Sequence, residues 1–271
     1  MRDGCTAFGD VWVQHARYGG GFRYQEVHMA DRRPPSAAVL LLHGGRETGL
    51  GPPPPGPLNL PALRMRPFAR GVVRGTRDEP VDVAVQEVRY GHRGWNGSRE
   101  DALHDAVRAL DGVRREFGDV PVVLIGHSMG ARAALRAAGH PLVRGVVGLA
   151  PWCPPGDPVT QLADRDVVLL HSNRDRVTSP QASQSLATRA RRAGARSCLV
   201  TIRASDHAML RRARAWHTMT TGLVRGLLGL SALPAAVDAA LRLPLDAPAS
   251  DGTLDYDRLR ARGDATAVRR S

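Results

Sequence analysis

The stretch PVVLIGHSMGARAALRA, Pro121 to Ala137, sets a serine between two glycines, Gly126 and Gly130, at the join of an apolar run and an Ala-rich one. Gly-x-Ser-x-Gly between a strand and a helix can hold its serine on a tight, strained turn with the hydroxyl above the sheet edge. Glycine is needed at both flanks because side chains there would meet the neighbouring strand and helix. A serine hydroxyl is a poor nucleophile at neutral pH, so chemistry at Ser128 needs an imidazole to take its proton and an acid to orient that imidazole. Asp175 in HSNRDRVTSP and His207 in RASDHAML each follow a short β-branched run, which puts both at one edge of a sheet. The chain order Ser, Asp, His is the one expected for a strand–turn–helix nucleophile.

Asp166 and Asp206 compete with Asp175 as the acid. Asp166 opens its strand at the far end, and Asp206 adjoins His207, too near in sequence to orient that ring easily. The other reading of Asp175 is a turn cap or a partner of Arg174 or Arg176, and that of His207 an exposed residue at a helix start. His127 points away if Ser128 points up, and reads as packing or support; His217 falls in the middle of a helical stretch. Attack by Ser128 leaves a negative oxygen that needs donors. The free N–H of Met129 at the helix start is one, and the turn LLLHGGRETG after the first parallel strand offers a second from Gly45 or Arg46.

These residues need a platform. Short β-branched runs alternate with amphipathic stretches, the pattern of a mostly parallel α/β sheet of about eight strands with helices on both faces. The opening DVWVQHARYGGGFRYQEVHMA alternates with period two around Gly19, Gly20 and Gly21 and reads as an antiparallel hairpin. Strands are expected near Ala38–Leu42 and Val81–Arg89 and in PVVLIG, VRGVVGLAPW, DVVLLHSNRD and RSCLVTIRASDH, with a long helix from about Ala208. The run of four prolines in GLGPPPPGPLNL favours a stiff surface segment. We expect one domain over residues 1–245 and a loosely packed or flexible polar tail over 246–271.

Composition excludes several function classes. The net charge of +12 rests on Arg alone, since the chain has no Lys, and no aromatic-basic ladder or zinc spacing accompanies it. A codon-driven Arg bias accounts for part of the charge, which is poor evidence for a nucleic-acid partner, and none is expected. Three widely spaced cysteines, Cys5, Cys153 and Cys198, support neither a disulfide framework nor a metal cluster and fit a reduced, cytoplasmic setting. The N-terminus does not read as a signal peptide, and Arg225, Pro234 and Asp238 interrupt the most apolar run, so no membrane partner is expected.

Together, LLLHGG, GHSMG, NRD and DH, spaced along an alternating β/α chain from about Asp10 to Leu230, resemble the α/β-hydrolase superfamily, in its small dienelactone-hydrolase-like and esterase/lipase-like branch. The resemblance implies Ser128 as nucleophile, Asp175 as acid, His207 as base, and Gly45 with Met129 as oxyanion donors. It implies hydrolysis of a small-molecule ester, thioester or lactone through an acyl-enzyme, with no cofactor or metal. Acyl transfer by the same residues, or ligand binding on a silent scaffold, are the alternatives. Many such proteins insert a helical lid where this chain has only PWCPPGDPVTQLADRD, so an open site without a lid domain is expected. Its walls would be the Pro-rich loop, GHRGWNGS and PWCPP, with Trp95 and Trp152 placed to stack on an acyl or ring group, or to act as rim packing. Arg46 and Arg93 on the same loops could attract a carboxylated substrate.

Overall fold

The computed structural model describes residues 34–261. The hairpin expected over Asp10–Ala30 lies outside them. Seven strands form one sheet: β1 (Ala37–Leu42), β2 (Val83–Glu87), β3 (Val122–His127), β4 (Val143–Leu149), β5 (Asp166–Ser172), β6 (Arg196–Ile202) and β7 (Thr253–Asp255). Their order is β2-β1-β3-β4-β5-β6-β7, and every pairing is parallel. Near-continuous apolar runs such as AAVLLL suit strands covered on both faces. Alternate residues go to opposite layers. Leu40, Leu42, Leu124, Val146 and Leu169 pack under helices α2 (Asp101–Phe117), α3 (Met129–Ala137) and α4 (Pro180–Arg192). Leu41, Val123, Ile125, Val147 and Leu170 face α1 (Leu60–Gly75), α5 (Ala213–Leu227) and α6 (Ala235–Leu241).

Three features depart from the sequence reading. Helix α1 follows the Pro-rich loop, where Asn59 caps it by accepting the Ala62 N–H at 3.2 Å. Pro67 inside the helix and glycines at 71 and 75 blur its apolar period; Gly71 and Gly75 let it approach α5, for a side chain at either would collide with Thr221. Helix α5 begins at Ala213 rather than near Ala208. The Asp206 carboxylate takes the N–H groups of Leu210 and Arg211, and Met209 and Arg212 have φ of 60° and 58°, so a turn stands there instead.

The expectation of a loose tail fails for residues up to 261. Strand β7 pairs with β6, and residues 256–261 are helical. The tie is a buried arginine: Arg191 donates to the carbonyls of Ala247 at 2.7 Å and Pro248 at 3.3 Å. Ion pairs Arg203–Asp255 and Arg212–Asp257 hold the outer side. Polar composition suggested fraying, but here the polar groups are partners of the fold's own arginines.

Candidate active site

Ser128 ends β3 and caps α3 at φ 52° and ψ −116°, a left-handed conformation that costs a non-glycine residue about 1–3 kcal/mol. The surroundings impose it. The Ser128 N–H donates to the Leu149 carbonyl at 3.0 Å, and its own carbonyl accepts from Ala131, Arg132 and Trp152 at 3.1–3.2 Å. The flanking glycines are sterically required, as the sequence suggested. A Cβ on Gly126 would stand 2.5 Å from the Ala131 Cα, and one on Gly130 would stand 2.5 Å from the His43 carbonyl oxygen. Ser128 is half-buried.

Asp175 follows β5, and its side chain is fully buried. Its Oδ1 accepts the N–H groups of Val177 at 2.8 Å and Thr178 at 3.0 Å, while Oδ2 accepts from His207 Nδ1 at 2.8 Å, His171 Nε2 at 3.1 Å and the Thr178 hydroxyl at 3.1 Å. Burial alone would raise this carboxyl; the hydrogen bonds from His171, His207, Thr178 and Val177 outweigh it and hold the group far below the usual carboxylate range. An ionised carboxylate only accepts, so His207 carries its proton on Nδ1 and keeps the Nε2 lone pair free. The acid competitors are elsewhere employed: Asp166 pairs with Arg196 at 2.6 Å, and Asp206 caps the turn before α5.

His207 is tied to the elbow through His127. The His127 and His207 ring centroids are 4.9 Å apart, and His127 Nε2–H donates to the His207 carbonyl at 2.9 Å. Burial, reinforced by His207 and Arg64, pushes the His127 imidazole down to about 3, so it is neutral at physiological pH. Trp216 Nε1 steadies the same loop from beneath, donating to Ser205 Oγ at 2.8 Å. The structure thus joins Asp175 to His207 and sets His207 against the residue next to Ser128. No hydrogen bond links Ser128 Oγ to the His207 ring among the described residues. Such bonds are often long in unliganded sites and tighten with substrate.

Of the two turn donors considered for the oxyanion, the geometry leaves Gly45. The Arg46 N–H is committed to the Arg93 carbonyl at 3.0 Å, which corrects its place among the candidate donors. Gly45 lies against the start of α3: a Cβ there would be 2.5 Å from Met129 Sδ and 2.7 Å from the Arg93 carbonyl oxygen. The loops expected to wall the site are laced together. Arg93 and Gly94 donate to the carbonyls of Gly51 and Gly49 at 3.0 Å each, and Asn96 Oδ1 accepts the Gly49 N–H at 2.7 Å.

Trp95 is not a substrate platform. It is 2% exposed, and the Arg132 guanidinium lies 4.0 Å over its ring and 4.5 Å over that of half-buried Trp152. Arg132 also makes a two-point ion pair with Asp157 at 2.7 Å. The two tryptophans therefore clamp a cation on α3, one turn beyond Ser128, because the arginine supplies both a flat face and a fork of donors. Sequence reasoning missed Arg132, His171 and Thr178. HSNRD did place a histidine at the end of β5, yet nothing in the string told which way its ring turned.

Among the described residues no cluster of His, Cys, Asp or Glu could hold a metal ion, and no helix is long and apolar enough to cross a membrane. The sequence profile of the serine aminopeptidase S33 hydrolase family matches residues 82–167. That stretch contains the Ser128 elbow but neither Asp175 nor His207. No curated protein matches the chain by sequence. Among solved structures, Est1E from Butyrivibrio proteoclasticus bound to ferulic acid is similar with a TM-score of 0.52 at 11% identity, over 72% of this chain and 90% of that one. A putative α/β hydrolase from Agrobacterium tumefaciens is similar with a TM-score of 0.53 at 15% identity, over 74% of this chain and 89% of that one. With its parallel sheet, its strained serine elbow and these likenesses, the chain is a protein of the α/β-hydrolase fold.

Proposed function

We propose that the protein is a serine hydrolase that cleaves a carboxylic ester, thioester or lactone of a small molecule through an acyl-enzyme. The observation that carries this reading is the 2.8 Å bond from His207 Nδ1–H to buried, ionised Asp175, beside a serine held at φ 52° on the elbow. Ser128 Oγ attacks the substrate carbonyl as His207 Nε2 takes its proton, and Asp175 stabilises the imidazolium that forms. The N–H groups of Gly45 and Met129 receive the negative oxygen. His207 then hands its proton to the leaving group, and water, activated by the same imidazole, releases the acid and restores Ser128.

A fluorophosphonate probe should label the wild type, and Ser128→Ala should abolish labelling. The same substitution should lower turnover of p-nitrophenyl acetate by about 10³- to 10⁶-fold. A folded wild type that stays unlabelled and inactive on a panel of esters, thioesters and lactones would favour a silent binding scaffold.

A further inference from the structure

The carboxylate of Asp175 is gripped by two imidazoles. His171 lies at the end of β5, four residues before Asp175, and its side chain is 1% exposed. Its Nε2 is 3.1 Å from Asp175 Oδ2, the same oxygen that receives His207, and its Nδ1 is 2.7 Å from the hydroxyl of Ser183 on α4. Asp175 is ionised and can only accept, so His171 must present its proton on Nε2. Nδ1 is bonded to the Ser183 hydroxyl, and Ser183 is itself fully buried. The result is a chain of bonds running from α4 through β5 to the acid and on to the base.

We propose that His171 is a positioning residue for the acid of the triad, aligning Oδ2 with His207 Nδ1; the proposal rests on the assignment of Ser128, Asp175 and His207 above. The N–H groups of Val177 and Thr178 hold Oδ1, but hydrogen bonds to one oxygen yield to small rotations of the carboxylate about its Cβ–Cγ bond. The His171 bond to Oδ2 stiffens that rotation at the oxygen that receives His207. The Thr178 hydroxyl is a weaker anchor, for its single proton is shared between Asp175 Oδ2 at 3.1 Å and the Ala150 carbonyl at 3.3 Å. The Asp175 side chain is fully buried, so its anchors come from the protein.

The test uses the full chain. His171→Leu removes the donor and keeps an apolar residue in the strand; His171→Gln restores a donor at the reach of Nε2. Loss of one hydrogen bond to a charged group predicts about a tenfold to hundredfold drop in kcat for p-nitrophenyl acetate in His171→Leu, with KM unchanged and most of the loss recovered in His171→Gln. In the ¹⁵N-histidine-labelled wild type, long-range ¹H–¹⁵N spectra should show His171 as the Nε2–H tautomer. If His171→Leu is as active as wild type, or if both variants lose activity only in step with their folded fraction, the proposal is overturned. An Nδ1–H tautomer overturns it even where the leucine variant does not fold. Should Ser128→Ala leave turnover intact, the triad assignment itself fails; should Ser128→Ala and Asp175→Ala both abolish turnover while His171→Leu does not reduce it, only the role of His171 fails.

Discussion

His127 offers a quantitative probe of the elbow. It is 2% exposed, and burial drives its imidazole from the ordinary 6.5 to about 3. The unfolded chain therefore takes up a proton below pH 6.5 that the folded protein refuses until about pH 3, and stability falls as pH drops through that interval. At one pKa unit per 1.36 kcal/mol, the loss between pH 7.5 and pH 5.0 is about 2 kcal/mol from this one residue. His127→Gln keeps a donor for the His207 carbonyl and removes the titration. Urea unfolding followed by circular dichroism at the two pH values should show wild type losing about 2 kcal/mol more than the variant. His43, lowered by burial, and Asp175 push in the same direction, but both proteins contain them and they cancel in the difference. Equal losses in the two proteins would mean that His127 is not sealed as described, and that its bond to the base loop is not a permanent tie.

Two further pairs of variants separate chemistry from architecture. Gly45→Ala meets a flexible thioether and one carbonyl, so it should stay folded and lose about 10²- to 10³-fold in kcat on p-nitrophenyl acetate, the effect of displacing one oxyanion donor; Gly130→Ala meets backbone oxygens of Leu42 and His43 and should show its damage in thermal melts. Asp175→Ala should cost about 10⁴-fold in kcat while Asp206→Ala, which only opens a turn, stays within about tenfold; the reverse ranking in the same assay would reassign the acid.

Much of this was legible in the string because the relevant physics is local. A short apolar run ending in Gly-His-Ser-Met-Gly fixes a strand, a glycine-lined turn and a helix start within a dozen positions; β3 lies within a residue of PVVLIG, and α3 starts at Met129 as read. Asp175 and His207 followed from their places just past strands. What was not legible depends on side-chain direction across long separations. Trp95 and Arg132 are far apart in sequence, and only the folded chain brings the guanidinium between two indoles, turning a supposed substrate wall into a buried clamp. Likewise the polar segment around Thr253 reads as a tail until Arg191 is found holding the carbonyls of Ala247 and Pro248. Arginine misleads composition-based reasoning because its stem and flat head bury as readily as they solvate.

The strand order explains why the site stands where it does. In β2-β1-β3 the chain leaves β1 toward one side of the sheet to build β2 and returns to build β3 on the other side. The segments leaving the carboxyl ends of β1 and β3 therefore turn to opposite faces of the sheet, and such a switch point is the usual ligand position in open parallel sheets. Gly45 follows β1 and Ser128 follows β3, so the proposed oxyanion donor and the proposed nucleophile leave neighbouring strands at the same edge of the sheet. The strands that precede the proposed acid and base, β5 and β6, lie two and three places from β3 in the same direction, and their loops need only lean back toward it. His127 gives that lean its anchor at 2.9 Å, and strand β4 between them contributes the Leu149 carbonyl that holds the Ser128 N–H. A sheet in the order β1-β2-β3 would carry the same residues in the same order and lose the switch point between β1 and β3. The positions of the residues are thus set by topology first, and their reactivity by the few bonds around Asp175.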